Sequence, residues 1–235
     1  MKWRSRSWVQ SANHAIEGII YSVKTQRHMR YHLFAALATL ILSLGLNITR
    51  TEFILLCMAI ILVLAMEMLN TAIEVTVDMI SETYHPLAKI AKDIAAGVVL
   101  LASFAALTLA YLILYPALTA AISGGQWHLR KAPSDVIAFV SLAVVVIVVV
   151  FIKALLGKGD PLRGGMPSGH AAVSFSIWAA AVYLTGNLPV GILTFILALM
   201  VSWSRWSSGV HRPAEVLAGA AIGAGLTALF FAIFS

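Results

Sequence analysis

Charge is scarce in this chain. Asp, Glu, Lys and Arg make up 11% of its 235 residues, while 60% are hydrophobic and the mean hydropathy is +0.92. That balance lies far outside the composition of ordinary soluble domains and predicts an integral membrane protein. Cysteine is scarcer still: Cys57 stands alone inside an apolar run, which excludes an internal disulfide and a thiolate metal site and leaves the redox compartment unread. No low-complexity tract and no period of about 20–50 residues is present, so repeat architectures are excluded. The basic opening segment lacks the apolar core of a secretory signal.

What the chain does have is long apolar runs. A crossing of ~30 Å of hydrocarbon takes ~20 apolar residues, and such runs are read near 31–48, 52–72, 94–116, 134–156, 169–185, 189–204 and 213–234. The expected fold is therefore all-α, a polytopic membrane protein of about seven transmembrane helices. Ahead of the first run, Trp8, Ala12, Ala15, Ile16, Ile19 and Val23 recur at helical spacing, followed by Lys24, Arg27 and Arg30. This reads as an amphipathic helix, either lying in the headgroup plane or packed on the bundle. A net charge of +6 raises nucleic acid as a partner. The basic residues instead cluster at the ends of apolar runs, where lipid headgroups account for them, so the expected partner is the bilayer and not nucleic acid. "YPALTAAISGGQWHLRKAPSD", between Tyr115 and Asp135, interrupts the hydrophobicity with two prolines, a Gly-Gly pair and basic residues. It separates an N-terminal membrane domain (1–118, three spans) from a C-terminal one (134–235, four spans), with a linker over 119–133.

Each half carries its own polar residues at membrane depth. In "EMLNTAIEVTVD", Glu67, Asn70, Glu74 and Asp78 fall on one face of a helix. An acid at the bilayer centre costs ~2.5–3.5 kcal/mol on insertion scales, so a compensating function is expected there. Carboxylates one or two turns apart suit Mg²⁺, and an uncoordinated one can take a proton from a hydroxyl. "AKD" adds Lys92, a cation for phosphate, and Asp93. Asp78 and Glu82 read as a helix end emerging into water. With "TQRHMRYH", these segments resemble the small prokaryotic diacylglycerol kinases and the similar undecaprenol kinases over residues 8–116. The resemblance implies a trimeric membrane enzyme that phosphorylates a lipid alcohol with ATP and Mg²⁺. It implies Glu67 as general base, Asn70 beside it and Glu74 as a metal ligand. Where that family places a second metal-binding glutamate, this chain has Gln26, which brings an amide oxygen but no charge. A weakened kinase and a lipid-binding scaffold are both open for this half. The lack of a P-loop does not exclude ATP, since the resembled family uses none.

The second set comes from "KGDPLRGGMPSGH" and "SRWSSGVHRPAE". Lys158, Arg163 and Arg205 can neutralise phosphoryl oxygens. Ser168 and the Gly169 amide stand at an expected helix start, where Ser168 can cap or donate to an anion. His170 and His211 supply a nucleophile and an acid that work near neutral pH. Glu215 is four residues beyond His211, close enough on a helix to orient its ring. In "GAAIGAG", Gly219, Gly223 and Gly225 read as a close packing face. Over 134–234 these motifs resemble the type 2 phosphatidic acid phosphatases, whose motifs are K-x6-R-P, P-S-G-H and S-R-x5-H-x3-D. The second is complete, the third has Glu215 for Asp, and the first is partial from Lys158 to Arg163. The resemblance implies a phosphohistidine on His211, general acid catalysis by His170, a phosphate cradle of Lys158, Arg163, Ser168, Gly169 and Arg205, and no cofactor.

The expected protein is thus a lipid phosphate phosphatase fused to a lipid kinase-like domain, with lipid phosphates such as phosphatidic acid or polyprenyl mono- and diphosphates, or lipid alcohols, as substrates. Transfer of the phosphoryl group to another lipid hydroxyl is an alternative. A cytoplasmic N-terminus followed by three crossings and a return puts both sites on the cytoplasmic face of a bacterial inner membrane, with Arg130 and Lys131 as exceptions to the charge bias.

Overall fold

The computed structural model describes residues 8–46, 48–81, 83–123, 132–156 and 165–235. Among the described residues it is wholly helical: α1 (Trp8–Thr25), α2 (Arg27–Gly45), α3 (Arg50–Ile80), α4 (Pro86–Ser123), α5 (Ser134–Leu156), α6 (Gly169–Thr185), α7 (Leu188–Ser207) and α8 (Pro213–Phe234). Five of these, α3, α4, α5, α7 and α8, are long and apolar enough to cross a bilayer, and α6 is a shorter apolar helix. Seven crossings were expected; α2, which carries the expected 31–48 span, is not among the five. Large side chains such as Leu100, Leu101 and Phe104 on α4 point outward, as a lipid-facing surface requires. α4 continues past Pro116, where the sequence suggested a stop, and runs to Ser123. Thr119 Oγ1 donates to the Pro116 carbonyl (3.0 Å), and apolar surroundings tolerate a helical proline of this kind.

The helices form two compact units, α2–α4 and α1 with α5–α8. In the first, α3 opens with a reciprocal cap: Glu52 N–H donates to Thr49 Oγ1 (3.3 Å) and Thr49 N–H to Glu52 Oε2 (2.6 Å). One face of α3 buries Phe53, Leu56, Val63, Glu67, Asn70 and Thr71. The acids and amides therefore continue the stripe that packs the unit. α2 buries Met29, Leu33, Ala36, Leu40 and Leu44, spaced three or four apart.

In the second unit α6 and α8 run parallel in very close contact. A Cβ at Gly219 would stand 2.3 Å from the Ser168 carbonyl oxygen, and one at Gly223 2.0 Å from that of Ala172. One turn further Ser176 and Thr227 hydroxyls bond at 2.7 Å. Only glycine allows this approach. Gly225 is not part of the seam, because a Cβ there meets nothing within 4 Å. Val145 and Val149 of α5 pack on Ala172, with Ile222 and Leu226 of α8 beside them. α7 returns antiparallel to α6: Trp178 Nε1 donates to the Gly191 carbonyl (3.1 Å), and Phe195 packs on Trp178 and Phe175. α1 packs against α5, burying Ile20, Ser22 and Val23 and leaving Ala15 and Ile16 exposed. The amphipathic helix thus packs on α5 along part of the expected stripe.

Candidate active sites

In the α1/α5–α8 unit the chemistry gathers where α6 and α8 begin and α7 ends. α7 closes with Ser208 N–H donating to the Ser204 carbonyl (3.2 Å) and Gly209 N–H to that of Trp206 (2.9 Å). Gly209 has φ +69°, a left-handed conformation that turns the chain sharply. His211 is thereby folded back on α7, its N–H donating to the Arg205 carbonyl (3.1 Å). The His211 ring is buried, and its Nδ1 lies 2.8 Å from Glu215 Oε2. The same carboxylate oxygen accepts from Arg212 N–H (3.3 Å), so Glu215 both caps α8 and holds the imidazole. With Nδ1 directed at a carboxylate, Nε2 is the ring atom left with a free lone pair.

Ser168 joins this group through the backbone, its N–H donating to the Glu215 carbonyl (2.9 Å). It occupies the N-cap of α6 but makes no side-chain capping bond, so the capping role suggested by sequence is not taken up. Its Oγ is buried and unpartnered, as is Nε of Arg205. Gly169 opens α6. His170 follows it in the first turn, exposed and within electrostatic reach of Arg205, His211 and Lys153. Ser168, Gly169, His170, Arg205, His211 and Glu215 are thus brought to one end of the unit. Lys158 and Arg163 lie outside the described residues.

Lys153 was not singled out from the sequence. It lies one turn beyond Val149, whose Cγ1 sits 3.6 Å from a Cβ built on Gly169, and it interacts with Glu215 and His170. A signal was available: counted from Lys153, the K-x6-R-P spacing ends on Asp160-Pro161, with Asp in the Arg position.

In the α2–α4 unit, Gln26 Nε2 donates to Glu74 Oε2 (2.9 Å) and Asn70 Nδ2 to Glu74 Oε1 (3.1 Å). Glu67, 2% exposed, meets the Met29 backbone and is within electrostatic reach of His28, with its Oε1 unpartnered; Asn70 Oδ1 is also buried and unpartnered. His28, in the quoted "TQRHMRYH", is the further residue that the structure adds here. Asp78 is exposed, as read from sequence, yet paired with Lys92 (2.5 Å); Lys89 pairs with Asp93 (2.7 Å). These four line a polar pocket with His85 at the α3–α4 turn, one helical turn beyond Glu74. Glu82 lies outside the described residues.

Among the described residues no three His, Cys, Asp or Glu side chains converge as a metal cluster. Glu74 nonetheless stands among orphaned or reorientable oxygens of Glu67, Asn70 and Gln26, an all-oxygen set that fits a hard cation, with two carboxylates and two amides.

The prokaryotic diacylglycerol kinase family model matches residues 13–114, and that of the PAP2 superfamily matches 153–235. The chain is 38% identical over 122 residues to a diacylglycerol kinase of Synechocystis sp., covering 49% of this chain and 70% of that protein. It is 39% identical over 105 residues to the undecaprenol kinase of Bacillus subtilis, covering 45% and 85%. It is 30% identical over 94 residues to the diacylglycerol kinase of Escherichia coli K12, covering 40% and 77%. No solved structure matches the chain.

Proposed function

We propose that this chain, which belongs to the prokaryotic diacylglycerol kinase family through residues 13–114 and carries a PAP2-superfamily segment over 153–235, is a membrane lipid phosphate phosphatase joined to a lipid kinase-like domain. The observation that carries the phosphatase reading is the 2.8 Å contact of Glu215 with His211 Nδ1, beside the unpartnered Ser168 Oγ and Arg205 Nε. Glu215 keeps the proton on Nδ1, so His211 Nε2 attacks phosphorus. The bond from phosphorus to the lipid oxygen breaks as His170 gives that oxygen a proton. Water, deprotonated by His170, then cleaves the phosphohistidine and releases inorganic phosphate. Arg205, Ser168, the Gly169 amide and Lys153, with Lys158 and Arg163 from the preceding segment, hold the phosphoryl oxygens. The substrate class is a lipid phosphate ester or anhydride, such as phosphatidic acid or a polyprenyl mono- or diphosphate.

In the N-terminal half, buried Glu67 with its free Oε1 favours a second reaction. Its carboxylate takes the proton of a lipid alcohol, whose oxygen attacks the terminal phosphorus of ATP as the bond from that phosphorus to the β-phosphate oxygen breaks and ADP leaves. Mg²⁺ there would be held by Glu74 with the amide oxygens of Asn70 and Gln26, and supplies charge neutralisation on the nucleotide phosphates. Lys92 and Asp93 border the nucleotide side. We take the domains as 1–118 and 134–235 with a linker over 119–133, place both sites on the cytoplasmic face of a bacterial inner membrane, and read the assembly as a homo-oligomer, trimeric by family likeness.

Purified full-length protein in lipid–detergent micelles tests both readings. Phosphate release from phosphatidic acid and polyprenyl phosphates should persist in excess chelator and disappear in His211→Ala. Lipid phosphorylation should require ATP and Mg²⁺ and disappear in Glu67→Ala. Phosphate release that survives His211→Ala overturns the first reading, and wild-type protein that phosphorylates no lipid alcohol overturns the second. Phosphate appearing on an added acceptor lipid instead of in solution identifies a phosphotransferase.

A further inference from the structure

The described part of the α1/α5–α8 unit leaves three side-chain polar atoms buried and unpartnered: Ser168 Oγ, Arg205 Nε and Ser202 Oγ. The first two belong to the phosphate cradle already described. Ser202 lies outside the P-S-G-H and S-R-x5-H motifs. It is 7% exposed on the buried face of α7, one turn before Arg205, so the two side chains share that face.

The seam between α6 and α7 fixes its level. A Cβ on Gly191 would stand 3.3 Å from Val182, and Phe195 packs on Trp178 at 5.0 Å and on Phe175 at 5.9 Å. In these pairs one number rises as the other falls, and both helices advance by about 1.5 Å per residue. Continued for two turns from Phe195 and Phe175, the same register sets Ser202 opposite Ser168–Ala171, the level of His170. A hydroxyl buried without a partner is costly unless a ligand satisfies it. Three donors orphaned at one end of one unit, beside two imidazoles, match the terminal oxygens of a tetrahedral phosphoryl group.

We propose that Ser202 is a further phosphate ligand of the phosphatase site, its Oγ–H donating to a phosphoryl oxygen alongside Ser168 and Arg205. It sits one turn further along α7 from the helix end than Arg205, and so grips the phosphoryl group on the His170 side. The proposal rests on the phosphatase reading.

The test measures kcat/KM for phosphate release and inhibition by inorganic orthovanadate in full-length wild type, Ser202→Ala and Ser202→Cys, with thermal unfolding of each protein without vanadate. Both substitutions should weaken vanadate inhibition and lower kcat/KM about ten-fold, the effect of one lost hydrogen bond to a charged group. Both should leave the vanadate-free unfolding midpoint unchanged or raised, since a costly orphan has been removed. Vanadate inhibition unchanged in Ser202→Ala overturns the proposal. So does full recovery in Ser202→Cys, which keeps the volume while weakening the donor and would mark a packing role. Wild type that neither releases phosphate nor responds to vanadate removes the phosphatase reading itself, and this proposal with it. Active wild type with indifferent Ser202 variants removes the proposal alone.

Discussion

The two units organise their polar groups in opposite ways. In the α2–α4 unit, Glu67, Asn70 and Glu74 come from one face of one helix, and Gln26 closes on them through a 2.9 Å bond to Glu74. In the other unit, Ser168, Arg205, His211 and Glu215 come from three helices and the turn between two of them. They meet because α6 and α8 touch at glycine and because Gly209 reverses the chain. A site drawn mostly from one helix needs that helix and a single neighbour, here the start of α2. A site shared among helices depends on every seam that joins them.

Crossed assays give the sharpest test of that contrast. His211→Ala should cut phosphate release by about 10³-fold or more while leaving ATP-dependent lipid phosphorylation intact. Loss of both activities would break the separation of the units. Glu67→Gln should do the reverse, reducing lipid phosphorylation by about 10²–10⁴-fold, the range of a general base, with phosphate release unchanged.

Next in size is Gly223→Val. Its Cβ would fall 2.0 Å from the Ala172 carbonyl, so α6 and α8 must separate. Overpacking of this kind costs about 1–3 kcal/mol. A lower unfolding midpoint in detergent with a fall in phosphate release is expected, whereas Gly225→Val, with open space at its Cβ, should leave both near wild type. The smallest effect should come from Gln26→Glu, which returns a negative charge beside Glu74. The Mg²⁺ concentration for half-maximal lipid phosphorylation should drop, on the order of ten-fold, because charge count tunes affinity for hard cations.

The same contrast decides what could be read from residues alone. The run 67–78 was legible because helical periodicity places its acids together, and those residues are buried or half-buried on one face, except Asp78. His211 and Glu215 were legible for the same reason, being four apart at a helix start. Lys153 was not, because its nearness to His170 comes from α5 packing under Gly169, a contact between distant segments. Ser202 was hidden for a similar reason: its burial comes from the packing of α7 in the unit, which residue spacing does not carry. The extent of α4 was misread at Pro116, since apolar surroundings let a helix carry a proline that would end it in water. Ser168 looked like a cap, and its position is that of one, but its hydroxyl is unengaged.

The seam of bare Cα positions at Gly219 and Gly223 leaves α6 and α8 no slack to slide past each other. Nucleophile and P-S-G-H segment therefore keep one mutual alignment, while Arg205 on α7 and Lys153 on α5 approach them from helices outside that seam. Any difference in turnover between gel-phase and fluid bilayers should then arise from the grip of α5 and α7 on the phosphoryl group, with the spacing of His211 and His170 held constant.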